Sequence, residues 1–341
     1  MHKLQKYILN NLSVLFMSIF IPLFAIASVI FLIKMATYTA VIQLNIWEMA
    51  KLYIFVVPDV LFYTLPFSFF IAVSLTLFRL SNDNEIIVMF SLGIHPSFIL
   101  KTLLKPALIL TILLLMNFLV LYPHAKTLSK NFYLYKKSEA QFNLSASEFG
   151  HSFGQWLLYI GKDNPDETYE DVFLFNKNSK DGSEILISAK HAKIITDKNI
   201  LKLQLRDGEG YSYSKEKFSQ IDFDVMYIND SLTADLFKYE PPLEFWTSEF
   251  NKEKKKKILI RNTLMSFLPL LTLFIAASIG IVHIRHNKGR IYLYLFLSII
   301  IYYETIILAQ RSLGYYTIPL FITLWTIISY YIYKKVIVEK F

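Results

Sequence analysis

The sequence predicts an α-helical polytopic membrane protein of six transmembrane helices with an inserted all-β domain of sandwich or jelly-roll type. Long stretches carry no charge. Tyr7 to Ile33, Asn262 to Val282 and Ser312 to Tyr333 contain no Asp, Glu, Lys or Arg, and about 20 apolar residues in helical geometry cross a bilayer core. The middle of the chain instead alternates apolar and polar residues between turn-forming clusters. The short connections between the apolar runs are basic, which orients them.

The spans fall at residues 8–35, 50–78, 98–122, 258–284, 291–310 and 314–334. The first is expected to stay in the protein. Its apolar run far exceeds a signal-peptide core of about 7–15 residues, and no small-x-small cleavage site follows it. Lys3 and Lys6 precede it, Arg285, Lys288 and Arg290 lie in "HIRHNKGR", and Lys334, Lys335 and Lys340 close the chain. The positive-inside rule places these ends in the cytoplasm and the insert outside. "KEKKKK", Lys252 to Lys257, dissents, but long translocated domains largely escape that rule. The organisation is residues 1–122 with three spans, 123–257 as the outer domain, and 258–341 with three more.

The insert reads as strands from Gly154 to Ile228. "QWLLYIG", "DVFLFNK", "EILISAKHAKII", "ILKLQLRDGEGYSY" and "QIDFDVMYI" are separated by "KDNPDET", "NSKDGS" and "TDKN". Ile185, Ile187 and Ala189 share one face, and Leu201, Leu203 and Leu205 share another. Residues 124–150 have helical spacing and extend the third span outward. With no cysteine, the domain is held by packing alone.

Enzyme signatures are absent. No G-x-x-x-x-G-K-[ST] cradles phosphate, and neither H-E-x-x-H nor G-x-S-x-G occurs. His283 and His286 sit in a basic turn without a carboxylate. Asp222 and Asp224 share an exposed strand face. The net charge of +8 belongs to lysines flanking spans, which argues against a nucleic-acid partner.

Between spans two and three lies "RLSNDNEIIVMFSLGIHPSFILK". Asn82 and Glu85 have the spacing of a capping box. Gly93 suits a helix C′ position, and Pro96 blocks continuation. The expectation is a helix of about ten residues, near 82–93, with Ile86, Met89 and Phe90 on one face. Such a helix either docks an apolar knob into a partner's groove or rests on lipid.

Three spans, an outer β domain and three further spans resemble the LptF/LptG permease family. The resemblance covers essentially the whole chain. Its most specific piece is "LPFSFFIAVSLTLFRLSNDNEIIVMFSLGIHPSFILKTLLKPALIL", residues 65–110. "YPHAK", "ISAKHAKI" with "LQLRDGEGY", and "IRNTLMSFLPLL…GIVHIRHNKGR" add to it. The resemblance implies one permease subunit of an ABC transporter that extracts lipopolysaccharide from the bacterial inner membrane. It implies a second LptF/LptG-type permease and an LptB-like ATPase dimer that binds ATP and Mg, with no cofactor on this chain. An LptC-like single-span protein and an LptA-like periplasmic bridge complete the set. The short helix becomes the coupling helix, with Glu85, Ile86, Met89, Phe90 and Gly93 at the ATPase contact. The β domain becomes periplasmic, and Leu201, Leu203 and Leu205 line its acyl-chain slot. Permeases of the same shape for another lipid or a lipoprotein, and a non-transporting scaffold, remain alternatives.

Charges inside spans cost several kcal/mol and are therefore functional candidates. Lys34 and Arg311 lie at the outer ends of spans one and five. They either snorkel to the interface or face a cavity and hold lipid phosphates, and the resemblance favours the second for Lys34. Asp59 and Glu304 lie within spans two and five; pairing with a cation on a neighbouring helix is open to either, and the sequence does not assign their roles.

Overall fold

The computed structural model describes residues 2–39, 44–141, 151–153, 156–164, 168–176, 184–197, 200–214, 218–229, 241–247, 252–281 and 290–339. The "HIRHNKGR" turn with His283 and His286 lies outside these but for Arg290. The chain divides into two compact units. One comprises residues 1–34, 53–126 and 240–341, the other 35–52 and 127–239.

The first unit is helical. Its elements are drawn from α1 (His2–Thr39), α2 (Ile46–Asn82), α3 (Glu85–Ser91) and α4 (Pro96–Met116). A π-helical turn (Asn117–Leu121) then runs into α5 (Tyr122–Gln141). After the β segment come α6 (Pro242–Thr247), α7 (Lys252–Ser266), α8 (Leu268–Leu271) and α9 (Leu273–Gly280). α10 (Ile291–Leu313) and α11 (Thr317–Tyr333) follow.

Among the described residues, four helical stretches are long and apolar enough to cross a membrane: His2–Thr37, Ile46–Asn82, Pro96–Leu134 and Ile291–Val338. The expected fourth span is built from three pieces, α7 to α9. Pro269 cannot donate to the helical ladder, and its ring crowds the preceding turn. The helix breaks at Phe267 and again at Thr272. The stretch Ile291–Val338 doubles back at Gly314, whose φ of 55° suits a residue without Cβ. Tyr302 on α10 meets Phe321 and Trp325 on α11 edge-on, at 5.1 and 4.9 Å between centroids. Its hydroxyl donates to the Leu264 carbonyl of α7 at 2.6 Å. α10 and α11 thus form a hairpin against α7.

Gly280 marks the closest helix crossing. A Cβ there would stand 2.6 Å from both Leu77 Cβ and the Ser74 carbonyl oxygen of α2. Gly280→Ala is expected to cost about 1–3 kcal/mol through overpacking, read as a lower thermal midpoint of the purified protein. Gly210→Ala, whose nearest contact would be 3.8 Å away, is the control with little effect.

The second unit holds a single six-stranded antiparallel sheet in sequence order. Its strands are β1 (His151–Phe153), β2 (Trp156–Asp163), β3 (Thr168–Asn176), β4 (Glu184–Asp197), β5 (Ile200–Tyr213) and β6 (Phe218–Asn229). All five expected strand segments are present, with β1 in addition. The order is a meander, not the crossed connections of a jelly roll. A crease supplies the second layer. Pairing lapses in line across the sheet at Gly161, Asp171, Lys190, Asp207 and Asp224. Asp171 and Asp207 take positive φ, 53° and 52°. Two successive residues face outward there, as in Lys190–His191 and Arg206–Asp207. The buried face therefore slips by one: Tyr169 and Val172 are both buried, as are Ala189 and Ala192. This is bulge behaviour, which bends a strand and sharpens its twist. Gly208 sits on the crease because a Cβ would lie 2.3 Å from the Ser188 carbonyl. The apolar concave face packs Leu158, Ile160, Leu174, Ile187, Leu203 and Leu205 into one core. In the same unit, Lys136 pairs with Glu48 at 2.6 Å, tying α5 to the start of α2.

Candidate functional site

The helical unit carries two candidate regions, one at α3 just beyond the end of α2 and one around Asp59 within α2. At the first, α3 is seven residues long, shorter than expected, and the capping box does not form. Residues 80–82 still belong to α2, and the N-cap is Asn84, in left-handed conformation without a side-chain cap. The C-terminal end follows the expectation. Gly93 has φ 82°, its N–H donates to the Phe90 carbonyl, and Ile94 N–H donates to the Met89 carbonyl, both at 3.0 Å. That pair of bonds is a Schellman motif. His95 then caps α4 by accepting from Ser97 N–H at 3.2 Å, with Pro96 in the first turn.

The face expected to dock turns inward. Ile86 is fully buried, Met89 is buried, and Phe90 packs against this chain's own core. Tyr7 on α1 donates to Glu85 Oε1 at 2.9 Å, so Glu85 anchors the helix start within the bundle. The apolar side chains presented outward are Leu92, 75 % exposed, and Val88.

Twenty residues of α2 separate Arg79 from Asp59, about 30 Å at the helical rise and so one bilayer core. Around half-buried Asp59 the bundle gathers charge. Lys34 of α1 and Lys126 of α5 lie within its electrostatic reach. One turn along α2, Tyr63 lies within electrostatic reach of Arg261 of α7 and neighbours Tyr303 of α10. Tyr122, at the start of α5, lies near Asp59, Tyr63 and Arg261 together. Arg261 Nε also donates to Asn262 Oδ1 at 3.3 Å. Two lysines reach the carboxylate and Arg261 reaches the neighbouring tyrosines, so the niche gathers three cations, one carboxylate and several hydroxyl donors. It suits an anion.

An aromatic wall adjoins it. Trp246 of α6 lies 4.9 Å from Phe118 and stacks on Tyr122 at 20° between planes. Its Nε1 donates to the Leu119 carbonyl in the π turn at 3.2 Å. Lys255 Nζ sits 4.5 Å from the Phe245 ring centroid.

The profile of the lipopolysaccharide export system permease LptF/LptG matches residues 6–333 of the 341. The chain belongs to the LptF/LptG family. No curated protein matches it. As an LptF/LptG member it is a membrane-embedded permease component of lipopolysaccharide export, working within a system of partner proteins.

Within this LptF/LptG chain the expected site residues disperse. Lys34 and Asp59 come together in the niche. Arg311 is exposed at the end of α10, and Glu304 is exposed on its flank. Leu203 and Leu205 are buried in the sheet core at 1 % and 0 %, and the Leu201 side chain lies outside the described ones. Sequence reasoning missed Tyr63, Tyr122, Lys126, Arg261 and Tyr303. "YPHAK" and "IRNTLM" held three of them, but nothing local marks those residues as converging.

Proposed function

We propose that the chain is one half of a two-permease pair that lifts lipopolysaccharide from the outer leaflet of the inner membrane. It crosses six times, with both termini cytoplasmic and the creased sheet in the periplasm. An LptB-like ATPase dimer, carrying ATP and Mg, docks on the outward face of α3 through Leu92 and Val88. Ile86 and Met89 transmit that push into the bundle because they are packed in its core. At the opposite end, the surplus cations around Asp59 receive the lipid phosphates. The lipid then passes through the β domain, toward LptC-like and LptA-like partners. The second permease covers α1, whose most apolar stretch is not buried by this chain. It also covers Glu304, since an exposed carboxylate against lipid is costly.

What carries the reading is the cationic niche one bilayer thickness from α3. The test is transfer of lipopolysaccharide by the reconstituted complex. Arg261→Glu reverses one niche charge and is expected to lower transfer about tenfold or more, since a lost charge-assisted contact is worth about 1.5–3 kcal/mol. Arg261→Lys retains most of it, and both variants keep the ATPase bound. Normal transfer by Arg261→Glu would refute the niche as the headgroup site.

A further inference from the structure

The niche contains a group that phosphate binding does not explain. Asn117, in the π turn, is 3 % exposed. Its Nδ2 donates to the Pro58 carbonyl at 3.0 Å, which sets its side chain beside Asp59. Its Oδ1 is buried and, among the described residues, accepts no hydrogen bond. Buried acceptors are rarely left so without a reason. π turns within α-helices also recur at functional sites.

Asp59 adds a carboxylate to the same wall. A carboxylate opposes an incoming phosphate, so a site built for phosphate alone would omit it. Two acceptors beside three cations suit a ligand that carries hydroxyl or amide donors next to its phosphates. A phosphorylated sugar has that composition, while a lipid presenting only a phosphate monoester does not.

We propose that Asn117 and Asp59 form the specificity element of the niche. They accept hydrogen bonds from the sugar of a phosphorylated glycolipid and so reject lipids that offer phosphate alone. The cations supply attraction and the acceptors supply discrimination, because a lipid without donors leaves Asn117 unpaired and meets Asp59 as a like charge. This inference rests on the export reading but makes a separate demand, on selectivity instead of binding.

The test is native mass spectrometry of the intact permease–ATPase complex supplied with equal amounts of lipid A and phosphatidic acid. Both present phosphate monoesters, and only lipid A has sugar donors. The ratio of retained lipid A to phosphatidic acid is expected to fall about tenfold in Asn117→Leu and in Asp59→Leu. Asp59→Leu also gains phosphatidic acid, and Asn117→Gln, which keeps both an amide donor and an acceptor, stays nearer the unmutated ratio than Asn117→Leu. An unchanged ratio in both leucine variants overturns the proposal. So does equal loss of both lipids from assembled complexes, which marks a packing role. If the unmutated complex retains no lipid A, the export reading fails and this inference with it.

Discussion

Leu92→Asp is expected to release the ATPase from an otherwise intact permease. Leu92 stands 75 % exposed beside the Schellman turn that ends α3, with Val88 one turn earlier. If that face fills an apolar groove on the partner, a buried carboxylate there has no counter-charge and costs several kcal/mol. Co-purification of the ATPase should drop at least about tenfold, and lipopolysaccharide-dependent ATP hydrolysis should drop with it. The thermal midpoint should hold, because Leu92 contributes nothing to the buried core. Ile86→Asp is the informative contrast. Ile86 is fully buried, so that variant should lose the fold before any question of docking arises. Normal assembly and transport by Leu92→Asp would remove α3 as the coupling element.

Leu203→Asp should unfold the β unit. Leu203 is 1 % exposed, pairs opposite Ile194 and Ile228, and sits in the middle of the concave core. A carboxylate in that setting has no partner, and its cost of several kcal/mol is comparable to the whole stability of a domain, about 5–15 kcal/mol. Limited proteolysis within residues 151–229 should become rapid while the helical unit stays resistant. Leu203→Ala, a cavity, should cost about 2–5 kcal/mol and leave the domain folded but weakened. An unchanged proteolysis pattern in Leu203→Asp would mean that the concave face is open to solvent in the working state.

The contrast between Ile86 and Leu92 shows where the sequence stops being legible. Gly93 and Pro96 announce the end of α3 because their backbone requirements are local. Which face of α3 turns inward was not readable, because Ile86, Ile87, Val88, Met89 and Phe90 are all apolar and no polar side marks the outside. The helix start was misread for a similar reason. Ser81, Asn82 and Asp83 are good caps in isolation, but α2 continues through two of them. The strands were legible from alternation, each within a few residues. The crease was not, since it appears only when the slips at Asp171, Lys190 and Asp207 align across neighbouring strands. In the niche, residues 59, 117, 122 and 261 are brought together by helix packing alone. Single charges in apolar runs pointed to Lys34 and Asp59, and nothing along the chain pointed to their partners.

The neighbour-to-neighbour order of the six strands has a kinetic consequence. Each strand pairs only with the one made just before or after it, so no contact in the sheet waits for a distant part of the chain. Such local pairing keeps relative contact order low for a β structure and favours rapid folding. Every strand is also complete before α7 to α11 are synthesised. The sheet can therefore close without depending on when the second set of helices inserts. Permuting the strand order while preserving the core should slow that step and expose unpaired edges to aggregation.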